Sequence, residues 1–429
     1  MLQEINFKIN NIDFKLIKTS QYKTLTGILS FVRSLKKEDF TYYSLLNRLI
    51  GSSSKNYETK EKLSNKMFEL YDCSVYMSTS YSYKSANTFF VFQTISDKYV
   101  SNDNESLVKQ CIDLLKEIML TPLLENNNTE FNHKNVNEEI KALENDIKNI
   151  YNNKKKYSFR KLIEAIAPND IISTSTLGDL EVLKTITPKS LYDFYLKILN
   201  DSFVNVGIIG DIEEDHVKTY FNDFNFPSKK YELELFPKSV NFKDQVLKVS
   251  ESQDIIQTKL MMAFRFDIDY NSEYYIPLLV FNAMYGGMFG SSLFMTIREK
   301  YSLTYDIGSE LMINKKILLV SCGVDNKNTE ITSDLVLKEL ENYKQGNIDD
   351  NLLKIAKEFL VNDLKEMQDF QFSSLSFKLE NIISKRPSII EIIDKIKNIT
   401  IKDIIEVSNL IKLDTIFTLV PGDNNEWYY

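Results

Sequence analysis

Only two histidines, His133 and His216, occur in the 429 residues, and that number decides much of the chemistry open to the chain. Metal-assisted hydrolysis needs a Lewis acid with an open position, a polarised water and a carboxylate to take its proton. Two histidines on adjacent helical turns commonly begin such a site. His133 lies in a polar FNHKN stretch and His216 in an acidic EEDH stretch, so their spacing is nothing like that, and both read as surface residues. The three cysteines, Cys73, Cys111 and Cys322, form no CxxC pair and read as small buried hydrophobes in a reduced chain. No serine or cysteine has an evident histidine base, which leaves nucleophilic catalysis without support. The Gly210-Asp211 and Gly422-Asp423 pairs lack the glycine spacing that lets a backbone approach a pyrophosphate, and a turn after a buried strand accounts for each. Arg298 falls in the last turn of an amphipathic segment, where a cation suits the helix dipole, and Tyr305 falls in the strand that follows. Taken locally, they are a solvated helix-end charge and a packed strand aromatic.

The elements that must position these residues follow from hydrophobic period. Alternating segments around Ile5–Leu16, Leu25–Phe31, Ser74–Thr79 and Phe89–Ile95 predict strands. Amphipathic segments around Ser106–Leu120, Val136–Tyr151 and Pro188–Leu199 predict helices, the last with Thr187 as N-cap and Pro188 at the first helical position. Further on, a strand is expected around Ile256–Phe266 and helices around Tyr274–Met284 and Leu293–Tyr301. Gly286 and Gly287 would stop the first of these helices, and Ser291 or Ser292 would cap the second. Strands then follow around Leu303–Met312 and Ile317–Val324.

This order occurs twice. TPKSLYDFYLKILNDSFVNVGIIGD from Thr187 parallels TIKDIIEVSNLIKLDTIFTLVPGD from Thr400, and FELYDCSVYMS parallels IREKYSLTYDIGS with Tyr71 falling on Tyr301. A period near half the chain means a duplicated domain and not a solenoid. Between the copies, 227–244 carries two prolines and dense charge and reads as a linker, leaving domains at 1–226 and 245–429. Strands followed by blocks of helices predict an α+β fold in which each sheet has helices packed on one face. The formal charge is −8 with cations and anions interleaved, so no basic face for nucleic acid is expected. Residues 1–10 show no signal-peptide pattern and no apolar run is long enough to span a bilayer, which points to a cytoplasmic protein without a membrane partner.

From Phe281 to Glu310, FNAMYGGMFGSSLFMTIREKYSLTYDIGSE resembles the second domain of the insulinase, pitrilysin and mitochondrial processing peptidase family of zinc peptidases, with some ten positions agreeing in order. A weaker resemblance extends over the rest of the chain. It implies two tandem α/β-roll domains forming one half of a clam shell that closes around peptides. It also implies catalytic and substrate-binding roles for Arg298 and Tyr305, which match the pair that faces the zinc site of the opposite half and binds the substrate carbonyl.

The family's H-x-x-E-H helix is replaced. TYYSLLNRLIGSSSKNY, from Thr41 to Tyr57, keeps the helix, glycine stop and polar turn, which puts the ligand and base positions at about Tyr42, Leu45 and Leu46. Where the third ligand is expected, EIKALENDI offers Glu139 and Asp146. The resemblance therefore implies no metal or other cofactor in this chain, and zinc in a homologous H-x-x-E-H partner. This chain would be inactive alone and part of a zinc metalloendopeptidase as a heterodimer, supplying Arg298 and Tyr305 to peptide substrate. The alternative is a scaffold or peptide-binding protein of the same fold with no part in hydrolysis.

Overall fold

In the computed structural model, which describes residues 3–100, 105–229 and 232–422, the chain divides into two units, each with its own sheet. The first sheet contains β1 (Gln3–Ile9), β2 (Ile12–Lys18), β3 (Thr24–Ser34), β4 (Ser74–Ser82) and β5 (Ser85–Ile95). A two-residue hairpin, β6 (Leu124–Glu125) and β7 (Glu130–Phe131), stands apart from it, and β8 (Phe203–Gly210) completes it. The second sheet contains β9 (Leu247–Gln253), β10 (Thr258–Arg265), β11 (Thr304–Met312), β12 (Ile317–Val324) and β13 (Lys412–Pro421).

The duplication is visible in strand order. The first sheet runs β1-β2-β8-β3-β5-β4 and the second, read from its far edge, β9-β13-β10-β12-β11. Setting β1 aside, the two orders coincide strand for strand. Each also contains one parallel pair, β2 with β8 and β9 with β13, among otherwise antiparallel neighbours. The predicted α+β architecture is thus present in two copies. The helices that end them, Pro188–Asn200 and Ile401–Asn409, both open with a capping box, closed by Thr187 with Ser190 and by Thr400 with Asp403. Gly210 ends β8 as expected; Asp423, its partner's equivalent in the second copy, lies outside the described residues.

Neither unit is continuous in sequence. The first takes the described residues of Met1–Lys148, Thr174–Leu235 and Gln368–Ile383; the second takes Asn149–Ser173, Phe236–Met367 and the described part of Ser384–Tyr429. Two helices account for the exchange. Helix Gln371–Ser384 lies on the first sheet, where Leu375 and Leu379 join Ile17, Ile28, Phe89, Val91 and Ile209 in one core. The opposite face of that sheet carries Phe31 and Phe90, edge to face at 5.4 Å, with Tyr195 against Phe90 and its hydroxyl donating to the Met119 carbonyl at 2.7 Å. Helix Lys154–Ile166, which the hydrophobic pattern did not single out, lies on the second sheet. There Tyr157 donates to Glu251 at 2.7 Å, and Lys161 pairs with the same carboxylate at 3.0 Å.

Several local expectations are corrected. Ile5–Leu16 is two strands and not one, because Asn10 and Asn11 both take positive φ (47° and 68°) and close a two-residue hairpin. The helix does end at Gly286 and Gly287, but as the last residues of a wide π-turn, Ala283–Gly287, that continues Tyr275–Asn282, and not through a left-handed cap; a Cβ on Gly286 would come within 2.8 Å of the Ser309 amide. Neither serine caps the following helix with its side chain: the Ser291 carbonyl accepts the first bond, from Met295, while the Ser292 hydroxyl pairs with Tyr343 at 2.7 Å.

Candidate functional site

Arg298 is carried by a second π-helical segment, Phe294–Lys300, which widens the end of the helix that begins near Ser292. Single π-turns of this kind recur at functional sites because they rotate side chains off the regular helical face. The segment closes when the Leu303 amide donates to the Ile297 carbonyl at 3.0 Å with Ser302 left-handed at φ 53°. The chain then enters β11, the edge strand of the second sheet.

The first unit closes a similar corner with the corresponding bond. There the Cys73 amide donates to the Met67 carbonyl at 3.1 Å, and β4, also an edge strand, follows; Tyr71 and Asp72 are both left-handed, at φ 56° and 57°, where Tyr301 is right-handed at φ −100°. The Tyr71–Tyr301 match thus holds in hydrogen bonding but not in backbone conformation. It sets Val75 opposite Tyr305, and the contrast is large: Val75 is buried at 4% exposure and Tyr305 is 86% exposed.

Arg298 and Tyr305 line one cavity of about 390 Å³ on the second unit, together with Phe294, Asp306, Ser309 and Lys155. The Arg298 guanidinium lies 4.6 Å from the centre of the Phe294 ring and 3.5 Å from Glu299. Stacking on an aromatic face restricts the fork while leaving its N–H groups available along the ring edge. Behind the cavity, Ser309 donates to Asn282 Oδ1 at 2.7 Å, which ties β11 to the helix beneath it. The arrangement presents a planar cation and a phenol from one wall, the donor set suited to a carbonyl or carboxylate oxygen. Lys155, from the exchanged helix Lys154–Ile166, was not among the residues singled out in the sequence. Nothing in its local pattern separates it from Lys154 and Lys156.

In the first unit, the positions matching the zinc motif are occupied otherwise. Leu45 and Leu46 lie on helix Asp39–Leu49 with no exposed surface, and Tyr42 packs its ring against Phe194 at 4.8 Å. Gly51, at φ 94°, ends the turn after this helix. Asp146 is engaged by Arg48, which projects from the same helix, and buried Glu139 pairs with Lys60 at 2.6 Å. His133 and His216 are exposed, the first beside Glu130 and the second stacked on Tyr220. The buried leucines and the engaged carboxylates leave these positions without the donor set of a zinc site. No three of His, Cys, Asp and Glu converge to hold an ion among the described residues.

Comparison with known proteins bears on the same residues. The family described as Peptidase M16 inactive domain matches residues 185–360, a stretch that includes both Arg298 and Tyr305. Over that stretch the chain carries an M16-type domain. Along nearly its whole length this chain is similar to the probable inactive metalloprotease YmfF of Bacillus subtilis (strain 168), with 26% identity over 97% of this chain and 98% of that protein. Among solved structures, a conserved protein from Enterococcus faecalis V583 superposes with a TM-score of 0.89 at 26% identity, covering 99% of this chain and all of that one. A peptidase M16 inactive domain from Pseudomonas fluorescens shares the fold, with a TM-score of 0.76 at 13% identity over 99% of this chain and all of that one. The chain is thus an inactive M16-family homologue with a non-catalytic role. No helix among the described residues is long and apolar enough to cross a membrane.

Proposed function

We propose that this chain is the non-catalytic subunit of a heterodimeric zinc peptidase, lending Arg298 and Tyr305 to a site whose zinc is held by a homologous H-x-x-E-H chain. One observation carries the reading: the two residues stand on the wall of a single cavity, Tyr305 almost fully exposed, while the chain's own motif positions are filled by buried leucines. An exposed phenol beside a stacked guanidinium costs little to lose if it serves no contact. In the equivalent corner of the first unit, a buried valine satisfies the fold. In the composite site the Tyr305 hydroxyl donates to the substrate carbonyl oxygen as charge develops there, and Arg298 orients the peptide through its N–H groups. The zinc of the partner supplies the Lewis acid and the activated water.

Mixing tests this directly. The purified chain and the homologous H-x-x-E-H chain of the same cell are combined, and mass is read by light scattering alongside cleavage of a quenched-fluorescent peptide library. A one-to-one complex whose activity exceeds that of either chain is expected. Unchanged activity of the partner on mixing favours a scaffold or peptide-binding role, which the repacked Leu45 and Leu46 would equally permit.

A further inference from the structure

The ladder between β11 and β12 is interrupted where Tyr305 sits. Thr304 is paired with Val324 and Ile307 with Cys322, so Tyr305 and Asp306 together oppose the single residue Gly323. This is a β-bulge, a device that re-aims one side chain at the cost of a backbone pairing. Here side chains replace the lost pairing. The Gly323 amide donates to Asp306 Oδ1 at 3.2 Å, and the Gly323 carbonyl accepts from the Thr304 hydroxyl at 2.6 Å. The same hydroxyl accepts from the Asp306 amide at 3.3 Å, which closes the stitch. Thr304 is buried at 6% exposure, so its bonds are sheltered from competing water.

The first unit provides an internal control. Its equivalent strand β4 leaves a similar corner but pairs with β5 without interruption, Ser74 with Gln93, Val75 with Phe92 and Tyr76 with Val91. The fold does not require a bulge at this point. Thr304 is buried where Ser74 is exposed, so Tyr305 already faces outward, and the bulge sets Asp306 beside it. We infer that Thr304 and Asp306 are positioning residues for Tyr305, stitching the bulge that fixes the backbone from which its phenol reaches substrate. The inference rests on the proposed role of Tyr305, and it assigns no contact with substrate to either residue.

A double-mutant cycle in the reconstituted heterodimer tests it. Thr304→Val keeps the β-branched shape and removes the hydroxyl; Asp306→Ala removes the acceptor; Asp306→Asn keeps an oxygen that can accept from Gly323. Thr304→Val and Asp306→Ala are each expected to lower kcat about tenfold, with KM within about a factor of two, and Asp306→Asn to retain most of the activity. In a Tyr305→Phe background the same two substitutions should cost nothing further. Amide exchange at Gly323, measured on the chain alone, should quicken in Asp306→Ala and return towards wild type in Asp306→Asn. If Tyr305→Phe lowers kcat but the Thr304 and Asp306 losses are absent or multiply with it, the positioning role is overturned while the role of Tyr305 stands. If Tyr305→Phe is itself without effect, both fall together.

Discussion

Thr24 and Gln371, 347 residues apart, hold each other reciprocally: the Thr24 hydroxyl donates to Gln371 Oε1 at 2.6 Å, and Gln371 Nε2 donates to the Thr24 carbonyl at 2.8 Å. Gln371 also accepts from the Thr26 hydroxyl at 3.1 Å and reaches the Ile209 carbonyl at 3.3 Å. A single buried amide thereby registers helix Gln371–Ser384 on the first sheet, and Leu375 and Leu379 one and two turns later supply the apolar contact.

Gln371→Ala strips partners from several buried groups and is expected to destabilise the protein by about 1 to 3 kcal/mol. Leu375→Ala, in the same helix, should cost about 2 to 5 kcal/mol through lost burial and a residual cavity. Chemical denaturation followed by fluorescence and circular dichroism checks both. A loss below about 0.5 kcal/mol for both would show that the helix contributes little to the first unit.

The leucines at the motif positions lead to a prediction about metal. The purified chain should hold far less than one zinc per molecule and should keep its melting temperature in a chelator, having no metal-linked folding energy to lose. Leu45→Glu, which writes the family's general base back into the helix, should lower stability by at least about 3 kcal/mol, because it buries an unpaired carboxylate where Leu45 has no exposed surface. Stoichiometric zinc that survives dialysis and is lost on mutating Glu139 or Asp146 would contradict this.

Tyr305→Phe keeps the ring and deletes one donor. In the reconstituted heterodimer it should cut kcat on the order of a hundredfold, as removal of comparable oxyanion donors does. Dimer formation and melting temperature should be unchanged. Arg298→Ala should raise KM as well, since it removes positioning along with charge. Tyr301→Phe, at the end of the same helix, serves as the control and should have little effect. A Tyr305→Phe enzyme within about a factor of two of wild type would remove the donor role.

Acid should loosen the exchanged helix Lys154–Ile166. Burial acts to raise the pKa of Glu251, but hydrogen bonds from Tyr157 and Lys161 and the Lys161 charge outweigh it and hold the group below its ordinary value of 4.5. A carboxylate depressed on folding adds stability that is complete above its unfolded pKa and is lost as the pH falls through the folded one. The contribution should therefore fade as the pH drops below 4.5. It is worth no more than about 1 kcal/mol, the carboxylate being partly screened by solvent. Glu251→Gln should flatten that part of the stability profile; an unaltered slope would show that the cluster is not coupled to folding.

The sequence by itself carried the duplication, down to the alignment of Tyr71 with Tyr301, because each copy repeats its helix caps and its apolar strands in order. It also determined that no H-x-x-E-H site exists, since two separated histidines cannot make one, and it marked Arg298 and Tyr305 through the resemblance of a single thirty-residue stretch to a zinc-peptidase family. Which sheet each helix covers was decided only in three dimensions. The amphipathic pattern of Lys154–Ile166 or Gln371–Ser384 shows that an apolar stripe must be buried but not against what, and each helix lies on the sheet built mostly from the other half of the chain. The bulge was equally hidden, for an alternating pattern does not reveal where two residues will face one. The two corners part company already at Thr304, which is buried where Ser74 is exposed, so that alternation turns Tyr305 outward and Val75 inward, and the bulge then keeps Asp306 beside Tyr305; which face a strand turns to the core is set by its packing and register, and not by its composition.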